Sequence, residues 1–403
     1  MELPPFIALE LGTTKVRALA GEARDDDHLM ILGLGECASR GISKSEIIDF
    51  DAALSCARTA LHLAEENAGV SIKQVHLLVK GGHIRTLVNR GSIPILNRGG
   101  EITRDDVEHV MDTARAVNLP GDQEILHSIG QHFYVDDQGG IINPEGMEGA
   151  KLAVDMLMIH GSRTRLRNVV KVVHSVPVDV QDVSFSGLCT ALAVLGPEDK
   201  TQGALVLDLG GGATDYVAYA GGAIAAAGSI SVGGDHVTND LARGLQVTLP
   251  QAERLKEEFG SAVVDLAHRG DHVDLSGEGG AAARSRFVRL GDLQTITSLR
   301  QEETFTLIRE ELERQDILHH LGSGVFLTGG GAYLNKATVL AERVFNLPCQ
   351  MGQPRDVSGL AVATDGPEYA APIGMLRYAI RTARRTQRTS FIADWIKILL
   401  GQR

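Results

Sequence analysis

The chain has 403 residues, more than the roughly 250–300 at which a single hydrophobic core stops growing, so two or more domains are expected. Its 43% hydrophobic and 22% charged residues are those of an ordinary globular protein. Cys37, Cys56, Cys189 and Cys349 form no CxxC pair, which argues against a zinc site or a disulfide framework and for a reducing cytoplasm. The net charge of −12 splits unevenly: Arg377 to Arg403 carries seven basic residues and one acid, leaving −18 on the preceding body. An acidic body disfavours nucleic acid, and a basic end points to an anionic surface. The first residues lack the basic and apolar regions of a signal peptide. No run of about 18 apolar residues is present, so no membrane-spanning segment is expected.

In chain order, Phe6–Leu11 and Val16–Gly21 predict a hairpin around a Gly-Thr-Thr turn. Residues 51–68 carry apolar side chains at helical spacing, and 74–79 reads as a short buried strand. Residues 85–163 form an inserted module. Strand-like 85–95 precedes a Gly-Gly break, Thr103 caps a helix with Asp106 three residues on, and strands follow at 124–135 and 152–160. Val169–Val173 predicts a buried strand and Ser184–Leu195 a helix. A second hairpin, 204–209 and 214–219, turns at Gly210-Gly211-Gly212. Helices are expected at 235–245, 249–259 and 299–319, with a polar surface loop and edge strands over 265–290. Strand 325–328 ends in Gly329-Gly330-Gly331, and helices at 335–345 and 370–383 close the body.

Two of these segments repeat each other. Residues 7–15 (IALELGTTK) align with 205–213 (LVLDLGGGA): an apolar strand, one acid two residues before the first glycine, a tight turn, a returning strand. Such self-similarity points to a duplicated domain. An unpaired acid in a buried strand is costly, and a bound cation at the strand end would account for both. Backbone N–H groups of Gly12, Gly210, Gly211 and Gly212 can approach an anion, hydroxyls of Thr13, Thr14 and Thr214 can donate, and Lys15 adds charge. Glu10, Asp208 and Asp215 are the candidate catalytic acids. Glu10 and Asp208 suit Mg²⁺ held mostly through water, because that ion takes few carboxylates and keeps waters and phosphate oxygens. Either turn alone fits an ordinary hairpin; the pair, with its acids in register, points to a polyphosphate clamp. A P-loop is excluded, since no GxxxxGK[ST] occurs.

The paired hairpins resemble the two phosphate loops of the actin, Hsp70 and sugar-kinase superfamily. Val325 to Ala332, with Gly329, Gly330, Gly331 and the following Tyr333, resembles its adenosine motif. Ser231 to Ala242, with Gly234 and Asp235, and then Ala252 to Lys256, resemble the part reaching the ribose. That resemblance places Glu253 and Lys256 at the sugar and base; without it they read as a solvated helix face. Within the superfamily the insert wording, Gly99 to Val107, Ile125 to Ile129 and Ile142 to Gly149, resembles the FtsA family. The resemblance implies an α/β, actin-like (duplicated ribonuclease-H-like) fold with two large domains around a nucleotide cleft, an inserted small α+β subdomain and a C-terminal amphipathic helix. It divides the chain into subdomain 1A (1–84, 164–200 and 354–383), 1C (85–163), 2A (201–240 and 291–353), 2B (241–290) and a basic linker with a membrane-targeting helix (384–403). It also implies ATP and Mg²⁺ as cofactors, self-assembly into a filament, FtsZ as a partner through 2B, other division proteins through 1C, and a place on the cytoplasmic face of the inner membrane at the septum. Ser184, Ser186 and Thr190 are all that precedes Ala191 where some relatives carry a water-positioning acid, so at most slow hydrolysis is expected.

In the last segment Phe391, Ile392, Trp395, Ile396, Leu399 and Leu400 share one helical face. Trp395 suits a membrane interface, and Arg384, Arg385 and Arg388 precede it; docking on the protein's own core is the alternative. Two rival functions share the superfamily's fold. A small-substrate kinase or phosphatase would need a cleft carboxylate base outside the phosphate loops; an actin-like component of pilus machinery lacks the insert wording and the amphipathic end.

Overall fold

The computed structural model describes residues 4–24, 28–96, 99–275, 286–361 and 365–399, with 385–399 as backbone alone. The first half opens with β1 (Phe6–Leu11), β2 (Lys15–Ala23) and β3 (Leu29–Ala38), an antiparallel meander. Helix α1 (Phe50–Ala68) follows, capped by the Asp49 side chain on the Ala52 amide and ended by left-handed Gly69. Its small face, Ala53, Ala57, Ala60 and Ala64, is buried. Strand β4 (Gln74–Val79) pairs in parallel with β1.

The insert comprises β5 (Arg85–Pro94), α2 (Arg104–Arg115), β6 (Gln123–Val135), β7 (Gln138–Ile141) and β8 (Lys151–Ser162). Its sheet runs β5-β8-β6-β7, all antiparallel. The expected Thr103–Asp106 capping box is present. A core of its own, including Ile93, Ile102, Val110, Leu152, Met156 and Met158, lets the module fold around its own apolar face.

Helix α3 (Arg163–His174) occupies the region expected to hold a strand at Val169–Val173. The β-branched run invites a strand reading, yet Leu166, Val169 and Val173 also recur at helical spacing, and their burial side decides for the helix. Strand β9 (Asp179–Phe185) then precedes α4 (Ser186–Val194), so the helix expected from Ser184 starts two residues later.

The second half repeats the first. Strands β10 (Ala204–Leu209), β11 (Thr214–Ala220) and β12 (Ala223–Ile230) form a meander, and helices α5 (Gly234–Leu245), α6 (Leu249–Phe259) and α7 (Leu290–Arg314) follow. Helix α7 begins at Leu290 rather than Leu299, because its first turns bury Gln294, Thr297, Ser298 and Gln301, which blur the apolar periodicity. Strand β13 (Val325–Thr328), α8 (Ala337–Phe345), β14 (Cys349–Met351), β15 (Val357–Ser358) and α9 (Ala370–Leu399) complete the chain. The two sheets run β9-β4-β1-β2-β3-β15 and β12-β11-β10-β13-β14. Each has an antiparallel meander whose first strand is extended by two parallel strands, so the duplication seen in one motif extends to the topology. The chain crosses between halves twice, at residues 195–203 and 352–356. Arg355 fastens the crossings together through an ion pair to Asp199 at 3.0 Å, and its backbone N–H donates a hydrogen bond to Ala193 O at the end of α4 at 3.0 Å. Helix α9 buries Ile373, Met375, Leu376 and Ile380 in the core shared with α4. Its backbone runs unbroken through Arg384, Arg385 and Arg388, and the side chains of the expected membrane face lie outside the described residues.

Candidate nucleotide cleft

The two hairpins face each other across a cavity of about 640 Å³. Its walls include Glu10, Gly12, Thr13, Thr14 and Lys15 from the first half and Asp208, Gly210, Gly211 and Thr214 from the second. Gly234, Asp235, Glu253 and Lys256 line another side, with Gly329, Gly330, Gly331 and Tyr333 opposite. Of the predicted residues, Gly212 and Asp215 stand behind this surface. Gly212 abuts Lys44, and Asp215 is 1% exposed.

Two glycines are required by close approach. A β-carbon on Gly211 would collide with Thr14 Oγ1 of the opposite half and come 3.2 Å from Asp235 Oδ1. Gly329 has φ +80°, and a β-carbon there would collide with Asp208 Oδ1. The adenosine-like loop is thereby pressed onto the second phosphate-like loop. It is held by Thr328 Oγ1, which donates to Pro367 O at 2.6 Å, and by Tyr333 OH, which donates to Glu368 Oε2 at 2.7 Å.

Charge is closely balanced in the first half. Glu10 accepts from Arg17 at 3.4 Å and from Lys80. Burial works to raise the Glu10 carboxyl, and the two cations overcome it, holding it below the ordinary carboxylate range. Glu36 binds Lys15 at 2.5 Å and Arg17 at 2.7 Å, and Arg17 lies 5.0 Å from the Tyr369 ring centre. In the second half Ser186 and Thr190 hydroxyls donate weakly to Asp208 Oδ2, both at 3.5 Å. Both Asp215 oxygens are buried, and among the described residues none donates to them at normal hydrogen-bond distance; the Ser229 hydroxyl, its cross-strand neighbour on β12, is the donor nearest to doing so. Burial, then repulsion from Asp208, pushes Asp215 up to about 7. On the helical side Lys256 donates to Glu253 at 2.7 Å and to Thr238 Oγ1 at 3.0 Å. The pair is one charged bracket at the cleft edge rather than a solvated face.

Sequence reasoning missed Arg17, Glu36, Lys80, Gln294, Gln301 and Thr304, all but Glu36 lining the cavity. Arg17 had a signal, since it aligns with Asp215 in the repeat. Lys80 and the polar face of α7 had none: only the sheet order and the helix packing bring them to the cleft. Among the described residues no three His, Cys, Asp or Glu side chains are grouped to hold a metal. The donor set still fits a hydrated divalent ion carried by a polyphosphate. Asp215 lies buried beside Asp208 with at most a weak donor, and glycine backbone stands where phosphate must approach.

Comparison with known proteins bears on the family and the fold. The family model "Cell division protein FtsA" matches residues 205–374, and the model "SHS2 domain inserted in FTSA" matches 81–160. Cell division protein FtsA of Neisseria meningitidis is 34% identical over 374 residues, covering 93% of this chain and 89% of that protein. The protein of the same name from Escherichia coli K12 is 32% identical over 406 residues, covering 98% and 96%. Among solved structures, the PilM–PilN type IV pilus biogenesis complex superposes with TM-score 0.63 at 14% identity, covering 92% of this chain and 97% of that one. MreB5 of Spiroplasma citri bound to ADP gives 0.55 at 16%, covering 96% and 99%. These two likenesses establish the actin-like fold.

Proposed function

Because the chain belongs to the FtsA family of cell division proteins, we propose that it binds ATP with Mg²⁺ in this cleft, assembles with copies of itself on the inner membrane, and holds FtsZ filaments there during division. The observation that carries the nucleotide reading is the pair of duplicated hairpins facing one cavity, with Gly211 of one half against Thr14 of the other. In this reading the amides of Gly12, Gly210 and Gly211, the hydroxyls of Thr13 and Thr14, and Lys15 receive the phosphates. The Glu253–Lys256 bracket faces the ribose, and the Gly329–Gly331 backbone packs along the adenine. A bound Mg²⁺ would supply neutralisation of phosphate charge, with Asp208 holding it through water and the buried Asp215 behind it adding negative charge. Ser186 and Thr190 beside Asp208 are hydroxyls rather than bases, which supports slow hydrolysis at most. Residues 241–290 are the proposed contact for FtsZ, residues 85–163 for other division proteins, and Phe391 to Leu400 for anionic lipid. Among the described residues no helix is long and apolar enough to cross a membrane, so attachment in this reading is to one leaflet.

Gly211→Val tests the cleft. It puts a branched side chain between Thr14, Asp235 and the phosphate position, and should abolish ATP binding in calorimetric titration while leaving the circular dichroism spectrum unchanged. Wild-type affinity in a folded Gly211→Val protein would falsify the site.

A further inference from the structure

The two hairpins share a topology but differ in charge. Glu10 and Asp208 hold equivalent places, and each faces a residue across its own ladder: Glu10 faces Arg17, and Asp208 faces Asp215. The first half therefore sets a guanidinium where the second sets a carboxylate. Both Glu10 oxygens are spoken for, one by Arg17 and the other by Lys80. Glu10 is thus poorly placed to serve a metal, and Lys80 stands where positive charge is in demand.

Lys80 follows the last residue of β4, which runs parallel to β1 with Leu78 beside Glu10. That register carries the ammonium to the cavity wall, where its side chain is 14% exposed. An ammonium has three donors, and among the described residues Glu10 is the side-chain acceptor that Lys80 contacts. Burial opposes its charge. Glu10, then Asp208 and Asp215 from the other half, outweigh that and hold the ammonium's pKa above the ordinary lysine range. A buried cation is costly unless fixed anions surround it. Here they come from both sides of the cleft.

We propose that Lys80 is a resident cation of the phosphate site: its ammonium supplies part of the charge neutralisation that a polyphosphate otherwise takes from a divalent ion, so this chain holds ATP with only a shallow dependence on Mg²⁺. The proposal rests on the nucleotide reading above and adds to it the source of the positive charge. Lysine suits the task because it meets phosphate as a point charge and needs no planar, two-pronged geometry.

The test is calorimetric titration of the full chain with ATP, once in Mg²⁺ and once in excess EDTA, read as the ratio of the two affinities. Wild type should lose less than about tenfold on removing the metal, and Lys80→Met at least about tenfold more than wild type does. A purely structural Lys80 would lower both affinities together and leave the ratio unchanged, which overturns the proposal. Lys80→Met also leaves Glu10 with one cation fewer. If it fails to fold, Lys80→Met with Glu10→Gln removes the charge and its anion together and carries the same comparison. A wild type that binds ATP only with Mg²⁺ sinks this inference and leaves the nucleotide reading standing. No binding under either condition sinks both.

Discussion

At Asp215 two buried carboxylate oxygens have at most a weak donor in the Ser229 hydroxyl, and the acid facing them in register is Asp208. A polar group left in that state costs about 1–3 kcal/mol, so it is a place where the ligand-free protein gives up stability. Asp215→Asn should raise the melting temperature of the ligand-free protein by about 2–4 °C. It should also lower the affinity for ATP with Mg²⁺, with both read on one preparation by scanning calorimetry and titration. A variant that melts lower would mean that the carboxylate is satisfied in a way these contacts do not include. The acids and glycines of this site were legible in the sequence because they occur twice in the same spacing. Lys80 and Gln301 were not, since each is a single residue whose neighbours come from another element.

Strand β6 shows how one element ties the insert to the body. His127 Nε2 accepts the Phe185 amide at 3.0 Å and lies 3.2 Å from Ser184 Oγ, with Tyr378 edge-on to its ring. Gln131 donates to Ile224 O at 2.7 Å, and Thr86 of β5 donates to Ala227 O at 2.8 Å, so the insert touches both halves. Burial pushes the His127 pKa down to about 4, against a small upward pull from Asp182. Docked, the ring stays neutral; released, it takes up a proton below about pH 6.5. The docked state is thus fully favoured above that pH and loses ground as pH falls toward 4. Amide exchange at Phe185, corrected for its intrinsic rate, should accelerate over this window. In His127→Leu it should already be about tenfold faster at neutral pH. Protection unchanged by the substitution would place the anchor elsewhere. Elements with one apolar face, such as α1 and the hairpins, were legible from periodicity. Helix α3 was hidden by β-branched valines and α7 by its buried polar face, because burial of those sides is decided by their partners. Strand β3 is hard to read from the sequence because Gly33 and Gly35 interrupt its apolar stretch, and glycine disfavours a strand interior.

For the whole molecule, the acidic body and basic end set a testable division of labour. Helix α9 packs on α4 through residues 370–380, well before the segment proposed for lipid. Removing residues 390–403 should therefore release the protein from anionic vesicles in sedimentation while its melting temperature stays put. The arginines before the cut, each worth about 1 kcal/mol near an anionic leaflet, should leave only weak, salt-sensitive binding. Lost stability with unchanged sedimentation would make the segment part of the core. The two strapped crossings at Arg355 and Asp199 bear on how such a body can move. Two crossings pinned side by side, with the insert bonded to both halves, restrict the ways in which the halves can turn about the cleft. Whatever fills the cleft then biases the angle between them. In a row of identical copies, an angle shared by every member accumulates, so a change too small to notice in one molecule becomes the bend or twist of the whole array.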